Sequence, residues 1–369
     1  MKVYLISGEA SGDLHASNLL KSLKILSDEP IEARAWGGAE LEGAGAHVVK
    51  HYKDLAFMGF IEVAMNIRTI LRNIKFCKAD IEQFEPDALI LVDYPGFNLR
   101  IAEWAKAKGI KVFYYISPQI WAWKSSRVHK IARSTDRVFS ILPFERAFYQ
   151  KFGYDISFVG HPLLDVIQDY VPAPLDITTD KKIIALLPGS RKQEISKILP
   201  KMLQVLSDYT EYHFVIAAAP GQQLSYYYQF IPPELQSNKQ LSIVQGQTYP
   251  LLQQAYIALV ASGTATLETA LFNVPQVVCY ETSQISYAIA KRLVKIKYIS
   301  LVNLIADAPM VDELIQENFN TSSLKASLEA ILAPSGRSKM LKDYQKLRQL
   351  LGQSGASNKT AQEILQMLK

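Results

Sequence analysis

The chain has 369 residues, more than one ordinary core accommodates, so two domains are the first expectation. Hydrophobic residues make up 49% and charged residues 20%, which excludes a disordered chain; Cys77 and Cys279 alone exclude a disulfide framework and a cysteine metal site and fit a reducing, cytoplasmic setting. A net charge of +5 points to anionic partners, but it suits phosphorylated metabolites and anionic lipid surfaces as well as nucleic acid.

The first apolar run, Val3 to Ile6, is cut short by SGEASGD before a secretory signal can form, and no run reaches the roughly 18 apolar residues of a membrane span. From there short apolar strands alternate with helical stretches: VYLIS (3–7) with SNLLKSLKIL, DALILVD (87–93) with LRIAEWAKAKG, KVFYYIS (111–117) with RVHKIAR, RVFSILP (137–143) with FERAFYQKFG, then ISFVG (156–160). Near-continuous apolar strands separated by helices predict a parallel sheet covered on both faces, a Rossmann-like α/β domain over 1–165. Pro172, Pro174 and their small polar neighbours predict a linker at 166–180.

The alternation restarts over 181–335 with KIIALLPGS, HFVIAAAP, LSIVQG, AYIALVAS and QVVCYE, predicting a second doubly wound domain facing the first across a cleft. Residues 336–369 read as helices, broken at 352–355, that pack across to the first domain or on a partner chain.

Ligands of open parallel sheets sit outside the carboxyl ends of the strands, and four strand ends carry chemistry. In GEASGD, the backbone at Gly8 and Gly12 can approach an anion or a sugar hydroxyl; it serves equally as a tight turn in which Asp13 favours its own helix N-terminus. It is neither a Walker A loop nor a dinucleotide fingerprint. Asp93 ends a buried strand as a candidate general base, against the plainer reading of a turn residue before Pro95 and Gly96.

In LLPGSR, Gly189 and Ser190 offer donors and Arg191 can grip phosphate oxygens, unless this is an ordinary solvated turn. In ASGTATLE, the small residues Ser262, Gly263, Thr264, Ala265 and Thr266 leave room for a diphosphate at a helix N-terminus, and Glu268 one turn later suits a ribose diol. A phosphate cradle with a diol acceptor in one domain and a carboxylate base in the other is the division of labour of a nucleotide-sugar glycosyltransferase. No Asp-x-Asp pair occurs, so neither a metal nor another cofactor is expected, and leaving-group charge falls to helix N-termini and Arg191.

Residues 57–78 place Phe60, Val63, Ala64, Ile67, Leu71 and Ile74 on one helical face beside Arg68, Arg72 and Lys75, with Phe57, Met58 and Ile61 widening it. Such a helix either rests on an anionic bilayer or simply packs on the sheet. His15, His129 and His161 show no metal spacing, and His161 in Gly-His-Pro is as well explained by a turn.

In order along the chain, SGEASGD (7–13), LAFMGFIEV (55–63), SPQIWAWK (117–124), LPFE (142–145), GHP (160–162), LLPGSR (186–191), ASGTATLE (261–268) and AKRLVKIKYISLVNLIA (290–306) resemble the lipid-A-disaccharide synthase family, inverting glycosyltransferases with two Rossmann-like domains (GT-B). The resemblance implies transfer from UDP-2,3-diacylglucosamine to 2,3-diacylglucosamine 1-phosphate, giving a β-1,6-linked disaccharide and UDP. It implies that Asp93 activates the acceptor 6-hydroxyl, that Asn303 belongs to the active site, and that Arg191 meets the donor diphosphate. Gly8, Glu9, Ser11, Gly12 and Asp13 would then frame the acceptor side.

Partners are expected to be these two lipids and the inner face of the cytoplasmic membrane, reached peripherally, and no nucleic acid; a homodimer is left open. Gly96 departs from the family pattern Asp-x-Pro-Asp-Phe-Asn, as do Gln119 and Lys124 from a small Ser and an Arg. Two other readings stand beside this one: a UDP-sugar 2-epimerase on the same architecture, and a nucleotide-sugar binder without catalysis. A dehydrogenase is disfavoured by the missing fingerprint.

Overall fold

The computed structural model describes residues 1–55, 67–123, 125–293 and 296–369. They form two compact units, one of Met1–Asp165 with Leu351–Lys369 and one of Val166–Leu350.

The first unit is built on seven parallel strands, β1 (Lys2–Ser7), β2 (Glu32–Gly37), β3 (His47–His51), β4 (Ala88–Val92), β5 (Lys111–Tyr115), β6 (Arg137–Ser140) and β7 (Ser157–Phe158), in the order β3-β2-β1-β4-β5-β6-β7. Because side chains alternate across a strand, Tyr4, Ile6, Leu89, Leu91 and Tyr114 bury one face against Ile74, Cys77, Ile81, Phe97 and Ile101. Val3, Leu5, Ile90, Phe113 and Tyr115 bury the other against Leu19, Leu20 and Leu23, with Ala356, Ala361 and Ile364 of the last helix, Ala356–Leu368. The break before that helix places Gly352 and Gly355 in the left-handed region, and Asp165 accepts hydrogen bonds from the amides of Gly355 and Ser357 at its N-terminus.

The second unit has six parallel strands, β8 (Lys182–Leu187), β9 (Tyr212–Ala218), β10 (Leu241–Gln245), β11 (Ala255–Ala261), β12 (Gln276–Tyr280) and β13 (Asp312–Ile315), in the order β10-β9-β8-β11-β12-β13. The long helix Pro334–Leu351 packs on this unit. The Tyr344 hydroxyl donates to Val274 O (3.2 Å) and accepts from the Gln276 amide (3.2 Å).

Three strands found here, β2, β3 and β13, were not expected. All three lie toward sheet edges, where EARAWG, HVVKH and DELI keep polar residues and lack the apolar run of a central strand.

A polar bracket ties the helix Ile67–Phe84 to the sheet. Asp80, 6% exposed, accepts from the Tyr4 hydroxyl (2.6 Å) and from Arg34 through Nε (2.9 Å) and Nη2 (2.5 Å). Asp80→Ala would leave the buried hydroxyl unpartnered and is expected to cost about 3 kcal/mol in urea unfolding; a loss below about 0.5 kcal/mol would show that the bracket contributes nothing net.

His15 and His161 are buried in this unit, and burial lowers them to about 4 and about 3, respectively, from 6.5. His161 Nδ1 accepts from the Leu163 amide (3.2 Å), the turn role that Gly-His-Pro suggested. Both rings are neutral in the folded state, whereas the unfolded chain protonates them below about 6.5. Stability held above that pH therefore drains away as pH falls toward about 4 and about 3. His161→Asn, which keeps an acceptor for Leu163, is expected to flatten the Tm-against-pH curve between about pH 6 and 4; an unchanged slope would assign the acid sensitivity elsewhere.

Candidate active site

In each sheet the winding direction reverses once, between β1 and β4 in the first unit and between β8 and β11 in the second. At such a reversal the loops leaving two adjacent strands run to opposite faces and leave a crevice at their carboxyl ends. The four motifs follow these four strands: GEASGD after β1, Asp93 after β4, LLPGSR closing β8 and ASGTATLE closing β11.

In the first unit β1 and β4 pair through Ser7 and Val92, which sets Gly8 beside Tyr94. A Cβ on Gly8 would fall 2.4 Å from the Tyr94 ring, so this glycine accommodates that ring. Gly12 likewise permits close helix-to-strand packing, its Cβ position lying 3.3 Å from Ser7 Cβ. Asp13 is 2% exposed and accepts from the amides of Gly38 (2.7 Å), Glu40 (3.1 Å) and Leu41 (3.4 Å), capping the helix Ala39–Gly43. In this structure Gly8 and Gly12 serve close packing and Asp13 is engaged by backbone amides. They shape the crevice from behind, and Asp13 serves a neighbouring helix instead of its own. Glu9 and Ser11 keep solvent access.

Asp93 and Tyr94 are consecutive residues in the left-handed region, with φ of 46° and 49°. Each non-glycine residue held there costs about 1–2 kcal/mol, and such outliers persist only where their surroundings over-determine them. The Asp93 side chain keeps solvent access at its surface, yet protein crowds it closely. That crowding, with the negative charge of Glu9, raises its carboxyl to about 6. Its backbone carbonyl accepts from the Tyr114 hydroxyl (2.6 Å) and the Asn98 amide (2.7 Å).

Two motifs without an assigned role interlock nearby. Trp121 Nε1 donates to Glu145 (3.1 Å), Trp121 packs edge-on against Phe144 at 4.9 Å, and Ser117 bonds Tyr149 (2.9 Å). LPFE thereby holds Trp121 in place. Burial, with Asp93's charge adding, lifts Glu145 to about 8.

In the second unit Gly189 has φ of +103°, a conformation glycine adopts without strain. The amides of Ser190 and Arg191 both donate to Glu194 Oε2 (3.2 Å each), and Arg191 Nη1 donates to Glu194 Oε1 (3.1 Å). The donors expected to be open are therefore occupied by a carboxylate of the same helix, Lys192–Leu203, through its capping box. An incoming diphosphate would have to displace it.

At β11 no side chain caps the helix Thr264–Leu271; Gly263 and Thr264 are exposed and Ala265 half-buried. Ser262 Oγ donates to Ile299 O (2.9 Å), and buried Thr266 turns its hydroxyl to Gly263 O (2.8 Å), so both serve the turn in this structure. Glu268 accepts from the Tyr249 hydroxyl (2.8 Å) and is raised by burial, Tyr249 opposing that shift. Tyr249 is wedged between Tyr170 and Phe272.

Asn303 is 1% exposed and its amide is saturated: Oδ1 accepts from Met310 N (2.8 Å) and Val311 N (3.0 Å), while Nδ2 donates to Val311 O (2.9 Å) and Glu313 (3.0 Å). As placed here it braces the loop after Asp307.

Phe57, Met58 and Phe60 lie outside the described residues, as does Lys124. On the helix Ile67–Phe84, Arg68, Arg72 and Lys75 are exposed together with Leu71 (53%) and Phe76 (48%), whereas Ile74 is buried. The expected stripe thus splits, with Leu71 facing out and Ile74 in. Asn98, Tyr114, Tyr249 and Glu194 were given no role by sequence reasoning; Glu194, three residues after Arg191, carried a readable capping signal, and Asn98 closes the family pattern Asp-x-Pro-Asp-Phe-Asn.

Among the described residues no helix is long and apolar enough to cross a membrane, and no group of three or more His, Cys, Asp or Glu is placed to hold a metal.

A solved UDP-GlcNAc 2-epimerase from Neisseria meningitidis, bound to UDP-GlcNAc, superposes with a TM-score of 0.65 at 15% identity over 100% of this chain and 99% of that one. The solved glycotransferase of kitacinnamycin gives 0.69 at 11% identity, covering 100% and 99%. At such identities the likeness establishes the GT-B fold and does not favour epimerase chemistry. A lipid-A-disaccharide synthase from Syntrophus aciditrophicus is 38% identical over 381 residues, spanning 100% of this chain and 98% of the relative. The lipid-A-disaccharide synthetase family model matches residues 3–367, and the chain belongs to that family.

Proposed function

We propose that the chain joins UDP-2,3-diacylglucosamine to 2,3-diacylglucosamine 1-phosphate, with Asp93 as the general base. Asp93 takes the proton of the acceptor 6-hydroxyl, the oxygen attacks the anomeric carbon of the donor, and the bond to the diphosphate breaks as UDP leaves. Attack opposite the leaving group inverts the anomeric centre and gives the β-1,6 linkage. The observation that carries this reading is the carboxylate of Asp93, at the sheet reversal with a pKa raised to about 6. Such a group is ionised at neutral pH yet basic enough to accept a proton in the transition state.

The donor is assigned to the second unit. Gly263, Thr264 and Ala265 at the uncapped helix N-terminus and the guanidinium of Arg191 meet the diphosphate, and Glu268, aimed by Tyr249, accepts from the ribose hydroxyls. Glu9, whose charge acts on Asp93, and the exposed Ser11 two residues on are assigned to the acceptor. The exposed face of Arg68, Leu71, Arg72, Lys75 and Phe76 supports peripheral docking on an anionic bilayer, where both substrates reside.

Asp93→Ala is expected to lower turnover at least about 10³-fold while UDP binding stays within about threefold. For the intact protein, activity should fall as pH drops through about 6, because the base is then protonated. Disaccharide detected by mass spectrometry from Asp93→Ala at near-normal rate would end this reading. Glu268→Ala should weaken UDP binding about 10- to 100-fold by calorimetry and Tyr249→Phe several-fold, with acceptor KM unmoved; unchanged UDP affinity in Glu268→Ala would remove it from the donor site.

A further inference from the structure

The left-handed pair Asp93-Tyr94 needs something to hold it, and one buried side chain is devoted to this. Asn98 is fully buried, and its Nδ2 faces three carbonyl oxygens: Asp93 (2.7 Å), Val92 (3.3 Å) and Ile6 (3.4 Å). The amide orientation follows from the network, since the flipped amide would set its oxygen against all three carbonyls. Among the described residues no protein donor reaches its buried Oδ1.

The same Asp93 carbonyl also receives the Tyr114 hydroxyl from the neighbouring strand (2.6 Å), and the Asp93 amide donates to Tyr115 O (3.2 Å). The two peptide units that flank the Asp93 Cα, and so set the direction of its side chain, are therefore bonded from β5, and Asn98 links the Asp93 carbonyl to Val92 O at the end of β4 and Ile6 O of β1.

We propose that Asn98 and Tyr114 are positioning residues for the transfer: by clamping the Asp93 carbonyl they hold the backbone left-handed and aim the carboxylate at the acceptor hydroxyl. This deepens the reading of Asp93 as base and rests on it. Neither residue touches substrate. Their effect is confined to the step in which the proton moves, because a base displaced by a fraction of an ångström still permits both substrates to bind.

The test uses the full-length protein with both lipid substrates. Asn98→Leu, which fills the volume without donating, is expected to lower kcat about 10²-fold, and Tyr114→Phe about tenfold, with the KM of each substrate within about threefold. The acidic limb of the kcat profile should move in both variants. Combined with Asp93→Ala, neither should reduce the residual rate further, since the clamp acts only through that carboxylate.

Should Asn98→Leu fail to fold, as judged by its Tm, Tyr114→Phe decides alone. Folded variants with kcat within twofold of the parent, a change in KM at constant kcat, or losses that add in full to Asp93→Ala would overturn the positioning role. If Asp93→Ala itself keeps its turnover, the general-base reading falls and takes this one with it. If Asp93→Ala is inactive and the clamp variants are not, only the clamp is wrong.

Discussion

The chemistry proposed for this protein depends on where a parallel sheet reverses its winding. Along most of such a sheet each strand hands its chain to a crossover on one side, and the carboxyl edge is closed by successive loops. At a reversal, two adjacent strands send their loops apart, and the polar ends of the strands are exposed between them. The chain does this twice, between β1 and β4 and between β8 and β11, and each reversal is furnished differently. One carries carboxylates and a strained backbone; the other carries glycine, hydroxyl and guanidinium groups beside helix N-termini.

The difference is electrostatic as much as steric. At the first reversal Glu9 stands near Asp93, and protein density around both disfavours a second negative charge, which keeps Asp93 basic. At the second, uncompensated amides at the helix start attract negative charge, and Glu194 already satisfies the pair at Ser190 and Arg191. A capping carboxylate of this kind keeps the loop ordered in the absence of a ligand. Binding a diphosphate would exchange one anion for another at the same donors.

Much of this was legible because the apolar strands are central and continuous. ALILV, KVFYY and KIIALL announce buried parallel strands, and a polar residue directly after such a run must lie at the strand's end. The strands β2 and β13, at or next to an edge, were not legible, since EARAWG and DELI carry charges a central strand would not tolerate, whereas the edge strands within ISFVG and LSIVQG were. What Gly8, Gly12, Asp13 and Asn303 touch was not legible for one shared reason: a residue at a strand end can face the crevice or face back into the fold, and its type does not distinguish the two. Asp13 is engaged by three amides some 25 residues away, and Asn303 by a loop that follows it.

By itself the sequence determined the fold class, the two-unit organisation, the four strand-end motifs and the family. These rest on local apolar periodicity and on the order of short segments along the chain, and both survive without knowledge of any contact. Only the tertiary structure decided which motif residues look outward, that Asp93 and Tyr94 sit left-handed, and that Asn98 and Tyr114 bond Asp93 and Tyr249 bonds Glu268. Those outcomes arise from hydrogen bonds and packing between strands distant in sequence, where burial changes both the pKa of a carboxyl and the cost of an unpaired amide. No pattern of neighbouring residues encodes that burial.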